Sequence, residues 1–107
     1  MEEFDGAKVA LLIGNQLITI QRDNKPGLPF AVFWDLPGGG RENNEFSLSC
    51  ILREIEEELG IKLSKEHFIW QKIFPSSIIL GQQFYFFVGK VNADMIDAIR
   101  FGNGLVA

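Results

Sequence analysis

Apolar residues fall along this chain in two rhythms. An apolar run, Val9-Ala10-Leu11-Leu12-Ile13, stops at Gly14-Asn15 and resumes from Leu17 to Ile20. This predicts two short strands around a turn between Lys8 and Arg22. A polar loop rich in Pro and Gly (Arg22 to Pro29) leads to Phe30 to Leu36, aromatic and apolar enough for another strand and stopped by Pro37 and three glycines. Phe68 to Phe74 contains an extended piece closed by Pro75, and Gln82 to Val91 (QQFYFFVGKV) reads as a strand. From Ser47 to Leu59 the rhythm becomes helical, ending at Gly60 in the position favoured just past a helix C-terminus. Ala93 to Ile99 has room for one or two helical turns. The sum is an α+β domain, one sheet with one dominant helix.

That helix carries two faces. At about 100° per residue, Leu48, Leu52, Ile55 and Leu59 form a stripe with Ile51 at its border, which must face a core. Cys50 lies off the stripe. Glu54, Glu57 and Glu58 are expected on the far side, spaced so that their carboxylates converge. Three like charges at this spacing destabilise a helix unless something neutralises them. A hard divalent cation does so, and Mg²⁺ typically needs few carboxylates besides substrate phosphate oxygens. Taken alone, an acidic run is more often a solvated face. Here, however, it follows Leu36-Pro37-Gly38-Gly39-Gly40, a glycine loop whose backbone can approach a ligand closely.

The charge distribution supports a local site. The 107 residues carry a formal net charge of −4. Six acids and two bases between Arg41 and Glu58 account for all of it, and the rest of the chain holds eight of each sign. Such a segment attracts a divalent cation and repels a bare polyanion. No basic run marks an extended nucleic-acid surface. No apolar run reaches the roughly 18 residues needed to span a bilayer. The acidic start, MEEFDGAKVA, lacks the features of a secretory signal, and the single Cys50 agrees with a reducing compartment. A cytoplasmic location and no membrane partner are the expectations.

Gly39, five residues, Glu45, seven residues, then Arg53-Glu54-Ile55-Glu56-Glu57-Glu58-Leu59-Gly60-Ile61 resembles the Nudix box, G-x5-E-x7-R-E-U-x-E-E-x-G-U with U a bulky aliphatic residue. All nine defined positions are filled, which is far more specific than a lone glycine motif. The Leu36-Pro37-Gly38 lead-in is also similar to the family's. The resemblance implies a mixed β-sheet packed against a catalytic helix in an α/β/α sandwich. It implies a pyrophosphohydrolase in which water attacks phosphorus within a nucleoside diphosphate linked to another moiety, with Mg²⁺ or Mn²⁺ as cofactor. By the same resemblance Glu54, Glu57, Glu58 and the Gly38 carbonyl are metal ligands, the general base is a box carboxylate, Glu54 before the others, or one outside the box, and Glu45 and Arg53 tie the loop to the helix and orient its acids. Glu56 falls on a variable position. Arg22, Arg41 and Gly39 are the substrate-binding residues it suggests, and a small nucleotide or nucleotide derivative is the expected partner.

Other residues are less telling. Trp34, Phe84 and Phe86 could stack on a base, although strand aromatics are more often core. His67 reads as surface or structural. The resemblance covers about residues 7 to 92 and implies a further C-terminal helix, whereas the sequence runs out at Phe101-Gly-Asn-Gly-Leu-Val-Ala. The expectation is therefore a single domain over residues 1–107, C-terminally truncated relative to the family, with exposed apolar sheet surface that favours a homodimer. Two other readings stay open at this point: a nucleotide- or metal-binding regulatory module with little catalysis, and a non-enzymatic cation-binding domain. The sequence does not encode the substrate in any readable way.

Overall fold

A computed structural model describes residues 3–22, 33–76 and 79–100; of Gln21, Arg22 and Phe33 it describes the backbone. The strands are β1 (Gly6–Ile13), β2 (Gln16–Leu17), β3 (Ile20–Arg22), β4 (Phe33–Asp35), β5 (Gly38–Gly40), β6 (Phe68–Pro75) and β7 (Gln83–Lys90). The helices are α1 (Ser47–Leu59) and α2 (Ala93–Ile96), with a 3-10 turn at Lys65–His67. Among the described residues no helix is long and apolar enough to cross a membrane.

β1 organises the main sheet. One edge pairs in parallel with β7, which pairs antiparallel with β6. Its other edge takes two short antiparallel strands, β5 along Gly6 to Lys8 and β2 along Leu12 to Ile13. β3 and β4 form a separate antiparallel ribbon. The turn expected at Gly14-Asn15 is present, with Gly14 at φ 58°. The glycine run departs from the reading as a loop: Gly38–Gly40 is a strand in register with Gly6–Lys8. Glycine has no strand preference, so only this long-range ladder orders it.

Alternation then sorts the side chains. Ala7, Val9, Leu11 and Phe87 are buried against Cys50, Ile51, Ile55 and Leu59 of α1. The helix ends as expected, with Gly60 in the left-handed region at φ 72° and its N–H donating to the Glu56 carbonyl. The buried stripe, however, is rotated from the expected one. Cys50 and Ile51 are fully buried, while Leu48 and Leu52 only flank the core. Cys50 faces β5, its Sγ 3.8 Å from the Gly40 carbonyl oxygen, which the wheel alone cannot reveal.

Candidate active site

Rotating α1 also moves its acids. Glu54 and Glu58 do not point to solvent: the Glu54 side chain is 14% exposed and Glu58 is 5% exposed. Both are turned onto β5. The Gly38 N–H donates to Glu58 Oε1 at 2.7 Å. A Cβ built on Gly39 would lie 2.6 Å from Glu54 Oε1, so the carboxylate fills the space that any other residue's side chain would need. Gly38 itself has φ 145°, and a Cβ there would run into the Ala7 carbonyl oxygen. Glycine is thus required at both positions, by backbone conformation at Gly38 and by the carboxylate at Gly39.

Ladder bonds of an antiparallel pair alternate along a strand. Val9 N–H donates to the Pro37 carbonyl and Arg41 N–H to the Asp5 carbonyl, so the backbone groups of Gly38 point away from β1, where Glu58 Oε1 accepts from the Gly38 N–H. That edge of β5 and the acidic side of α1 enclose the candidate site.

Arg53 ties these parts together. Its Nε donates to Glu45 Oε2 at 2.8 Å and its Nη2 to Glu45 Oε1 at 2.9 Å, a two-point hold. Nη2 also reaches the Gly40 carbonyl at 2.8 Å. Nη1 donates to Glu54 Oε1 at 3.0 Å and Glu57 Oε2 at 2.8 Å, and pairs with Glu42 at 3.2 Å. One guanidinium therefore bridges the loop after β5 and the acids of the helix. The hydrogen bond from Arg53 holds the Glu45 carboxyl below its usual range, against burial. Burial pushes the Glu54 carboxyl up, and the neighbouring Glu58 and Glu57 add to this against the pull of Arg53. Burial and Glu45 push the Cys50 thiol up to about 11.

Of Glu54, Glu57 and Glu58, Glu57 is the most exposed, at 41%. Among the described residues no three carboxylate, imidazole or thiol groups are gathered closely enough to cage a metal. The reason is visible in the partners: Glu58 turns to Gly38, and Arg53 takes Glu57. The donor chemistry nevertheless suits a hard divalent cation. Only oxygen ligands are presented, and α1 has no basic residue in its last turn to offset Glu56, Glu57 and Glu58 at the negative end of its dipole.

The remaining site residues separate. The Arg41 guanidinium lies over the Phe4 ring at 4.4 Å, and its Nε donates to the Glu45 carbonyl at 2.8 Å. Its Nη2 is buried without a hydrogen-bond partner among the described residues. Arg22 ends β3, its backbone paired with Phe33, and its side chain lies outside the described part. Trp34 is 55% exposed rather than core, whereas Phe84 and Phe86 are half-buried. His67 is structural: its Nδ1 accepts from the Ser64 N–H at 3.1 Å and caps the 3-10 turn. Among the described residues Glu56 pairs with Lys62 alone, at 3.6 Å. Sequence reasoning missed Glu42 as a partner of Arg53, and missed Lys8, whose Nζ meets Asp35 Oδ2 at 2.8 Å beside the Leu36-Pro37 entry to β5. A lone lysine inside the apolar run of β1 was the available signal.

Known proteins are similar to this chain in sequence and in fold. The chain is 30% identical over 82 residues to the m7GpppN-mRNA hydrolase NUDT17 of Danio rerio, covering 71% of this chain and 27% of that protein. It is 46% identical over 33 residues to the 8-oxo-dGTP diphosphatase of Proteus vulgaris, covering 31% of this chain and 30% of that one. The chain thus spans less than a third of either relative. The crystal structure of a MutT/nudix family protein from Enterococcus faecalis superposes with a TM-score of 0.70 at 24% identity, over 98% of this chain and 42% of that one. A NUDIX domain model matches residues 4–98, and the chain belongs to the NUDIX family.

Proposed function

We propose that this chain is a divalent-cation-dependent pyrophosphohydrolase that cleaves the diphosphate linkage of a nucleoside diphosphate bound to another moiety. The observation that carries the reading is the seating of Glu54 on Gly39 together with the anchoring of Glu58 on the Gly38 N–H. Two acids of one helix are thereby fixed against a strand edge that leaves backbone open to a ligand. The relatives named as an mRNA cap hydrolase and an 8-oxo-dGTP diphosphatase support a nucleotide substrate.

In this reading Glu54, Glu57, Glu58 and the Gly38 carbonyl hold Mg²⁺ or Mn²⁺. The cation supplies the positive charge that offsets the diphosphate and makes water in the site more acidic. Glu54, held partly buried with a raised pKa, is the group suited to accept a proton from the attacking water. Arg53 and Glu45 are positioning residues, keeping the loop after β5 at a fixed distance from the helix. Gly39 lets the substrate approach the backbone, and Arg41 and Arg22 are the cations assigned to its phosphates.

The test is a panel of nucleoside triphosphates, dinucleoside polyphosphates, nucleotide sugars and capped RNA, assayed with and without Mg²⁺. Release of a nucleoside monophosphate, pyrophosphate or phosphate that stops with EDTA supports the proposal. Binding of Mg²⁺ and nucleotide without turnover anywhere in the panel would instead favour a regulatory binding module.

A further inference from the structure

A guanidinium has five N–H donors, and in Arg53 more carboxylates approach than it can serve. Nε gives its hydrogen to Glu45 Oε2, and Nη2 divides its pair between Glu45 Oε1 and the Gly40 carbonyl. Two hydrogens remain, on Nη1, and three carboxylates face them. Glu57 is nearest, at 2.8 Å and 3.2 Å through its two oxygens. Glu54 Oε1 follows at 3.0 Å. Glu42 Oε2 stands at 3.2 Å, in ion-pair range behind them.

The three acids are not equally free to move. Glu54 is largely buried and seated on Gly39. Glu57 and Glu42 are exposed. Glu42 differs from both in that the loop, not α1, places it. Its N–H donates to Glu45 Oε1 at 2.8 Å, and the Glu45 N–H donates to the Glu42 carbonyl at 3.2 Å. Asn43, at φ 52°, turns the chain between them. Since Arg53 holds Glu45 at two points, the Glu42 carboxylate stays beside Nη1 whichever way Glu57 turns.

We propose that Glu42 is the exchange partner of Glu57 on Arg53. When Glu57 turns from Nη1 towards a divalent cation, the Glu42 carboxylate takes the vacated N–H. Cation loading then replaces one charge-assisted hydrogen bond by another and leaves no guanidinium donor unpaired. Glu42 is thus a positioning residue that acts through Arg53. The proposal rests on the assignment of Glu57 to the cation made above.

The experiment is titration of the whole chain with Mn²⁺ in the absence of nucleotide, reading free Mn²⁺ by electron paramagnetic resonance. Glu42→Gln should weaken binding about five-fold, the size of a coupling between groups that share one partner. In a Glu57→Gln background the same change should matter less than about two-fold, because nothing is left to exchange. Glu56→Gln, which removes an equal charge from the same helix, should also stay within about two-fold. In the Mg²⁺-loaded chain the Arg53 Nη1 protons should exchange with water faster in Glu42→Gln than in the wild type, and at equal rates without metal. Unchanged Mn²⁺ affinity in Glu42→Gln, or equal weakening in both backgrounds, would overturn the proposal while leaving the cation site intact. A loss as large as that of Glu57→Gln would make Glu42 a ligand and overturn it as well. Failure of the wild type to bind Mn²⁺ would overturn the cation assignment itself, and this proposal with it.

Discussion

The Glu54 carboxylate occupies the space beside Gly39 where a Cβ would sit, 2.6 Å from Oε1. Gly39→Ala must therefore displace that carboxylate, while the backbone at Gly39 tolerates alanine. We expect kcat/KM to fall by about 100-fold and stability to change by less than about 1 kcal/mol. Gly38→Ala should behave oppositely. Its φ of 145° and the Ala7 carbonyl make it a folding defect, costing about 3 kcal/mol. Thermal melts and kinetics on both variants check the contrast.

Arg53→Lys tests whether the guanidinium is needed as a fork. Lysine keeps the charge but cannot hold Glu45 at two points while also reaching Gly40 and Glu57. A loss of about 1–2 kcal/mol in chemical denaturation is expected, together with reduced kcat/KM. Full activity in this variant would show that charge alone suffices.

Glu45 and Glu54 should shape the pH dependence of stability in opposite directions. Glu45 is held below its ordinary 4.5 by Arg53. Its contribution is complete above that value and is lost as pH falls through the lower folded value. Glu45→Gln should lower neutral-pH stability and flatten the acid limb below about pH 4.5. Glu54 is raised by burial, so its ionisation opposes folding above its folded pKa. Glu54→Gln should leave neutral-pH stability equal or higher. Denaturant melts across pH 3 to 7 read both signs.

Cys50 is fully buried and its thiol is pushed up to about 11. Thiolate is the reactive form, so a thiol reagent at about pH 8 should leave the folded chain unmodified and label it after unfolding. Rapid labelling of the folded chain would contradict this placement.

Much of the arrangement is legible in the sequence because it is local. The bounds of α1 follow from its period and from Gly60, and Arg53 with Glu45 follows from the resemblance to the Nudix box. What escaped is set by distant partners. The strand at Gly38–Gly40 exists only through β1, and the rotation of α1 that buries Cys50 and Glu58 depends on how close β5 lies. Each is a cross-chain relation with no signature in any short window.

The central claim is that the acids turned onto β5 do the chemistry, and Glu56 supplies the control. It lies on the same helix as Glu58, carries the same charge, and faces Lys62 instead. The decisive measurement is Mg²⁺-dependent hydrolysis of the best substrate by the wild type, Glu58→Gln and Glu56→Gln. The account predicts a loss of at least about 100-fold for Glu58→Gln and near wild-type rates for Glu56→Gln. Equal activity in the two variants would contradict it.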